Sequence, residues 1–164
     1  MLPSEAKAIA DFLTSDLESE MKTTLRVIES VPSDHLDYSP DAKCATGLGL
    51  VRHLPLFDSW LLNSIADGAF SRPPDQTDAC GVMNPADAAA CYVEKVTAAL
   101  ERVRALTPDQ LAAEINFFGM MQLPAVHFIQ LTIKHSVHHR GQLSTYLRSM
   151  GGKVPGIYGP SADK

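Results

Sequence analysis

The chain has 164 residues, 45% of them hydrophobic and 20% charged, with a formal net charge of −5. That length suits one domain, residues 1–164, with a substantial core, and the composition argues against disorder. Lys and Arg form no stripe, no apolar stretch reaches the roughly 20 residues of a bilayer span, and no basic-then-apolar leader opens the chain, so nucleic acid, membrane and secretion are all disfavoured.

In chain order, a first helix is predicted from Ser4, a candidate N-cap with Glu5 in the first turn. Apolar residues follow at helical spacing, Ile9, Phe12, Leu13, Leu17, Met21, Leu25 and Ile28, until Pro32 stops the helix. Residues 32–43 have no period and read as a loop. A second helix is predicted from near Thr46 to about Asp67, with Leu50, Leu54, Phe57, Leu61 and Ile65 as its stripe and Gly68 as a left-handed terminator. Pro55 falls inside that span and cannot donate to the Val51 carbonyl, which predicts a kink or a late start.

Residues 71–83, with Pro73-Pro74 and Gly81, read as a long loop. Asn84-Pro85 is a cap followed by proline at the first helical position, and the helix it opens runs through Tyr92, Val96, Leu100 and Val103. Thr107-Pro108 repeats the signal for a short helical turn, and residues 116–123 are ambiguous between a loop and a small hairpin. The last helix is predicted from near Pro124 to Gly151-Gly152. Four long amphipathic segments without a convincing strand predict an all-α four-helix bundle with long inter-helix loops.

The last helix carries His135-Ser136-Val137-His138-His139. At about 100° per residue, positions four apart share a face, so His135 and His139 can bind one metal ion, while His138 points aside. Two helix-surface histidines would give the same spacing. Ser136 stands where a zinc protease would place its glutamate, so that motif is absent. The three cysteines, Cys44, Cys80 and Cys91, form no CxxC pair and leave an odd count, which fits a reduced, cytoplasmic setting. They read as small buried or semi-buried side chains, and Cys44, in a loop, could also be a reactive thiol.

The string His139-Arg140-Gly141-Gln142-Leu143, with His135 before it and Leu147-Arg148-Ser149-Met150-Gly151-Gly152 after it, closely resembles the C-terminal helix of the DinB-like superfamily. Leu50-Val51-Arg52-His53, followed by Trp60 and Leu61, resembles that family's second helix, and Leu36-Asp37-Tyr38-Ser39-Pro40 its approach to it. The resemblance runs from about Asp11 to Pro155. It implies a DinB-like four-helix bundle with a three-histidine metal site, open on one side, whose ligands map to His53, His135 and His139. His53 enters on the resemblance alone; read by itself it is equally a histidine bonded to a backbone carbonyl.

Gln142 and Tyr146 lie on nearly the same helical face as His135, as does Phe128 on its N-terminal side. Gln142 could hydrogen-bond a ligand imidazole or water, whereas Tyr146 and Phe128 suit the core as well as a pocket wall. Trp60 could wall the site or simply pack. Arg140 points away and suits an ion pair between helices, Gly141 suggests close helix approach, and His35 and His127 read as structural or surface residues.

Three neutral nitrogens suit a divalent transition metal, Zn or Ni foremost, with Fe, Co or Mn compatible. Among relatives the fold is associated with thiol-dependent transferases, so the resemblance implies a metalloenzyme that activates a low-molecular-weight thiol against a small-molecule substrate. The other reading is a non-catalytic, metal-stabilised, stress-associated bundle. A homodimer is expected under either reading. No catalytic residue beyond the ligands is identifiable from the sequence.

Overall fold

A computed structural model describes residues 1–75 and 81–163; Cys80 lies outside them. Helix α1 (Pro3–Glu29) starts one residue before the predicted cap, because Pro3 takes the first helical position and Leu2 the cap. The Glu5 carboxylate accepts from the Leu2 backbone N–H at 2.9 Å. The buried face of α1 also differs from the predicted stripe. Ala6, Ala10, Thr14, Leu17, Thr24, Val27 and Ile28 face inward, while Ile9 and Phe12 are exposed. Short side chains at Ala6, Ala10 and Thr14 let a neighbouring helix approach closely, and the larger side chains turn to solvent.

Helix α2 (Gly47–Asp67) begins where Thr46 accepts from the Gly49 N–H at 3.1 Å, and ends at Gly68 in the left-handed conformation (φ 70°). The loop before it supplies two further acceptors: the Tyr38 and Leu36 carbonyls take the Gly47 and Leu48 N–H groups at 2.9 and 2.8 Å. Pro55 is buried inside α2, and the helix neither starts late nor breaks there. Helix α3 (Pro85–Arg104) follows its Asn84 cap, and the short α4 (Pro108–Ala112) its Thr107 cap.

The ambiguous segment is a hairpin: β1 (Glu114–Phe117) pairs antiparallel with β2 (Met121–Pro124), Ile115 opposite Leu123. Phe118 and Gly119 turn it with φ of 52° and 75°, a conformation that a phenylalanine rarely adopts. Helix α5 (Ala125–Leu147) starts directly after β2 and ends four residues before Gly151.

The long helices form a ring in which α1 packs on α5, α5 on α2, α2 on α3 and α3 on α1, with α4 against α1 and α5. This is the all-α four-helix bundle expected, plus one small hairpin. Among the described residues no helix is long and apolar enough to cross a membrane. The ring brings α2 beside α5, and those two helices carry the histidines.

Candidate metal centre

His53 on α2 and His135 and His139 on α5 converge, each offering a ring nitrogen within 4.8 Å of the others. The Nε2 atoms of His53 and His135 are 2.9 Å apart. The His53 ring is stacked on Phe57, with centroids 4.1 Å apart, and this fixes its orientation. His138 is exposed and lies against the flank of His139, and His35 and His127 are also exposed, so these three stand outside the cluster.

The outer nitrogens decide what the inner ones can do. His135 Nδ1 lies 2.8 Å from a carboxylate oxygen of Asp58, which is fully buried. His139 Nδ1 lies 2.8 Å from Gln142 Oε1. Both partners are acceptors, so the ring protons sit on Nδ1 and the Nε2 lone pairs face the cluster. Burial, and then the neighbouring histidines, push the His53 imidazole down to about 3 from 6.5. Burial and then His135 lower His139, against the opposing pull of Gln142 and Asp58. Neutral rings with oriented lone pairs are the form that ligates a divalent metal. The donor set therefore fits such an ion, and its three residues leave coordination positions for something else.

Asp58 was not singled out in the sequence, although a signal existed: it is the only charged residue between Arg52 and Asp67 in an otherwise apolar helix. Its second oxygen accepts from the Tyr92 phenol at 3.2 Å. Burial, and then the Asp58 charge, push that phenol well up, so it remains a donor. Ser136 lies within 3.4 Å of the same phenol and 3.2 Å from the Thr24 hydroxyl, which links the support of His135 to α1.

Two chambers meet at the histidines. A cleft of about 420 Å³ is lined by His53, His135 and His139 together with Phe57, Trp60, Phe117, Phe118 and Met120. Trp60 thus walls the site, and its indole N–H donates to the Ser71 hydroxyl at 3.3 Å. On the other side a chamber of about 240 Å³ is lined by Lys43, Cys44, Gln142 and Tyr146 beside His53 and His139. Tyr146 is both core and wall: it is buried, edge-on to Tyr38, and faces this chamber. Burial and then Cys44 push its phenol up. Phe128 belongs to the core, packed on Phe70 at 5.0 Å. Cys91 is buried and Cys44 exposed.

Arg140 is buried and donates to Glu20 Oε2 at 2.5 Å and to the Tyr158 hydroxyl at 2.5 Å, so it joins α5 to α1 and to the C-terminal segment. Gly141 does not serve close approach. It is exposed, and a Cβ there would meet nothing within 4 Å, because position 141 faces outward when Arg140 faces in.

Fold and site together define a helical-bundle protein with a three-histidine cluster able to hold a metal ion. The chain belongs to the DinB family, whose family model matches residues 8–164. It is 30% identical over 146 residues to YjoA of Bacillus subtilis strain 168, covering 85% of this chain and 89% of that one. The crystal structure of YjoA, described as a DinB-like protein, superposes with a TM-score of 0.73 over 90% of this chain and 97% of that one, at 28% identity. YfiT from Bacillus subtilis, described as a probable metal-dependent hydrolase with an unusual four-helix bundle topology, superposes at 0.68, with 19% identity and 87% of each chain covered. The mycothiol-dependent maleylpyruvate isomerase superposes at 0.61, with 15% identity, over 87% of this chain and 61% of that one. At those last two identities the likeness is one of fold.

Proposed function

We propose that this protein is a metal-dependent enzyme of the thiol-dependent transferase type, with His53, His135 and His139 as the metal ligands and Zn or Ni as the ions best suited to them. The observation that carries the reading is the pair of outer-nitrogen contacts, Asp58 to His135 and Gln142 to His139, which leave Nε2 lone pairs directed at a common point between two chambers. His53 Nε2 and His135 Nε2 share a proton at 2.9 Å, and a divalent ion would displace that proton and take both nitrogens as ligands. A divalent ion held there supplies Lewis acidity that favours the thiolate form of a coordinated thiol. Asp58 and Gln142 hold the rings in register, Phe57 holds His53, and the aromatic walls exclude water from the reacting side. Relatives of the same fold, a probable metal-dependent hydrolase and a mycothiol-dependent isomerase, support the class of chemistry.

The test is consumption of 1-chloro-2,4-dinitrobenzene by the zinc- or nickel-loaded protein with mycothiol or cysteine as donor. The thiol sulfur bonds the ring carbon, and chloride and a proton leave. The expected result is turnover that a His139→Ala variant lacks; equal rates in the two proteins would sink the reading. A second reading rests on the ligands' distribution over α2 and α5, where an ion would clamp two helices without any reaction. It expects no turnover and a large fall in melting temperature on chelation.

A further inference from the structure

The two chambers that meet at the histidines have opposite chemistry, and this divides the reactants between them. Among the described residues, no charged side chain lines the larger cleft. Its walls are Phe57, Trp60 and Leu61 from α2 and Phe117, Phe118 and Met120 from the hairpin, with the imidazoles at its inner end. The smaller chamber offers Lys43, the Cys44 thiol, the Gln142 amide and the Tyr146 phenol. Beside the aromatic walls an anion would shed water and meet no cationic side chain or line of donors among the described residues, a cost that a neutral ring system escapes. At about 420 Å³ the cleft falls in the size range of pockets that bind drug-sized molecules.

The hairpin is built toward this cleft. Phe118 holds a left-handed backbone conformation, φ 52°, and from it the ring lies nearly parallel to Trp60, 13° between planes and 6.4 Å between centroids. Asn116 braces the turn by accepting from the Gly119 N–H at 2.7 Å. A phenylalanine held at positive φ, where such a hairpin turn favours Asn, Asp or Gly, is a strained feature of the kind that clusters at ligand clamps. Trp60 and Phe118 thus form one stacked aromatic wall at the mouth of the cleft, which the histidines also line.

We infer that the larger cleft is the subsite for the acceptor substrate, and that this substrate is an uncharged molecule with a planar aromatic or similarly flat apolar body, packed against the aromatic wall that Trp60 and Phe118 form. The assignment deepens the proposed function and rests on it for the word substrate, while the binding itself requires no turnover. A small molecule is the occupant because the cleft is concave and closes on the imidazole nitrogens, whereas a second copy of the chain would need a broad, flat contact.

Trp60 is the only tryptophan, so its indole N–H gives a single resonance that reports on the cleft directly. The protein, metal-free and zinc-loaded, is titrated with 2-naphthalenemethanol and with naphthalene-2-sulfonate, which share the ring system and differ in charge, and the two probes are compared in the metal-free form, where no ion attracts the sulfonate. The neutral probe is expected to shift the Trp60 resonance saturably and to bind about tenfold more tightly than the sulfonate. Phe118→Asp, an exposed substitution at the turn, and Phe118→Gly, which also removes the strain, are each expected to weaken the neutral probe about fivefold or more while leaving zinc content unchanged. Equal binding of the two probes, tighter binding of the sulfonate, or indifference to both Phe118 variants would overturn the assignment. So would failure of the neutral probe to bind together with a Phe118→Asp variant that turns a dimer into a monomer in light scattering, because the cleft would then be covered by a second copy. Loss of turnover without loss of probe binding refutes the metalloenzyme reading alone; loss of neutral-probe preference with turnover intact refutes the subsite alone.

Discussion

The two faces of α5 present polar side chains to the interior of one bundle and put them to different use. On one face Arg140 closes a set of contacts with Glu20, Thr24 and Tyr158 in which donors meet acceptors inside the protein. On the other face His135 and His139 bind acceptors with their outer nitrogens and turn their inner nitrogens toward His53 and a cavity. The polar set around Arg140 is complete as it stands. The histidine set gathers three ring nitrogens that could hold a metal ion, two of them paired with each other at 2.9 Å. Burial of polar groups therefore marks structure on one face and a candidate ligand site on the other, and the distinction lies in the ring nitrogens that the second face gathers beside a cavity.

The largest expected effect breaks the completed face. Arg140→Ala strips the partner from a nearly buried Glu20 and should destabilise the protein by about 3–5 kcal/mol, read by denaturant unfolding. Metal content in the fraction that remains folded should be unchanged, because Arg140 touches none of the three histidines. A variant that lost metal without losing stability would show that the two faces are coupled.

On the open face, Asp58→Asn keeps the shape and removes the charge. An amide that presents its NH₂ to His135 Nδ1 moves the ring proton to Nε2 and takes away one donor lone pair. Metal affinity, measured by chelator competition, should fall about 10- to 100-fold, with the fold retained by circular dichroism. Unchanged affinity would remove Asp58 from the site.

A third effect is graded by pH. The folded His53 imidazole sits at about 3, below its ordinary 6.5, so the unfolded chain binds the proton that the folded chain refuses. The metal-free protein should keep this stabilising contribution above about pH 6.5 and lose it as pH falls toward 3, with a slope of at most about 1.4 kcal/mol per pH unit for this one group. His53→Gln should flatten that slope in urea titrations across the window; an identical slope would place the proton elsewhere.

The smallest effect sits on the helix surface between the two faces. Gly141→Ala meets open space and gains helix propensity, so it should stabilise by about 0.5–1 kcal/mol with metal affinity unchanged. A destabilised variant would mean that something packs on this glycine.

Much of this molecule was legible in its residues because the signals are local. Caps and prolines placed three helix starts, at Thr46, Asn84 and Thr107, since a hydroxyl or amide satisfies its own helix's N–H groups whatever lies beyond. The one-turn spacing of His135 and His139 put their rings on one face for the same reason. The position of Gly68 as a left-handed stop is likewise a backbone property.

Other features belong to the tertiary structure. The inward face of α1 follows close helix approach, so Ala6 and Ala10 are buried and Phe12 is not. Asp58 becomes a partner of His135 only when α2 lies against α5, 77 positions away in the chain. Without that packing, an aspartate in an apolar helix is an anomaly without a role. The aromatic cleft likewise needs the turn at Phe118 to lie over Trp60, a contact between distant segments that no period encodes. Spacing along one helix could supply two nitrogens and the resemblance a third; the carboxylate that orients His135 and the cavity the rings face were decided by how the helices pack.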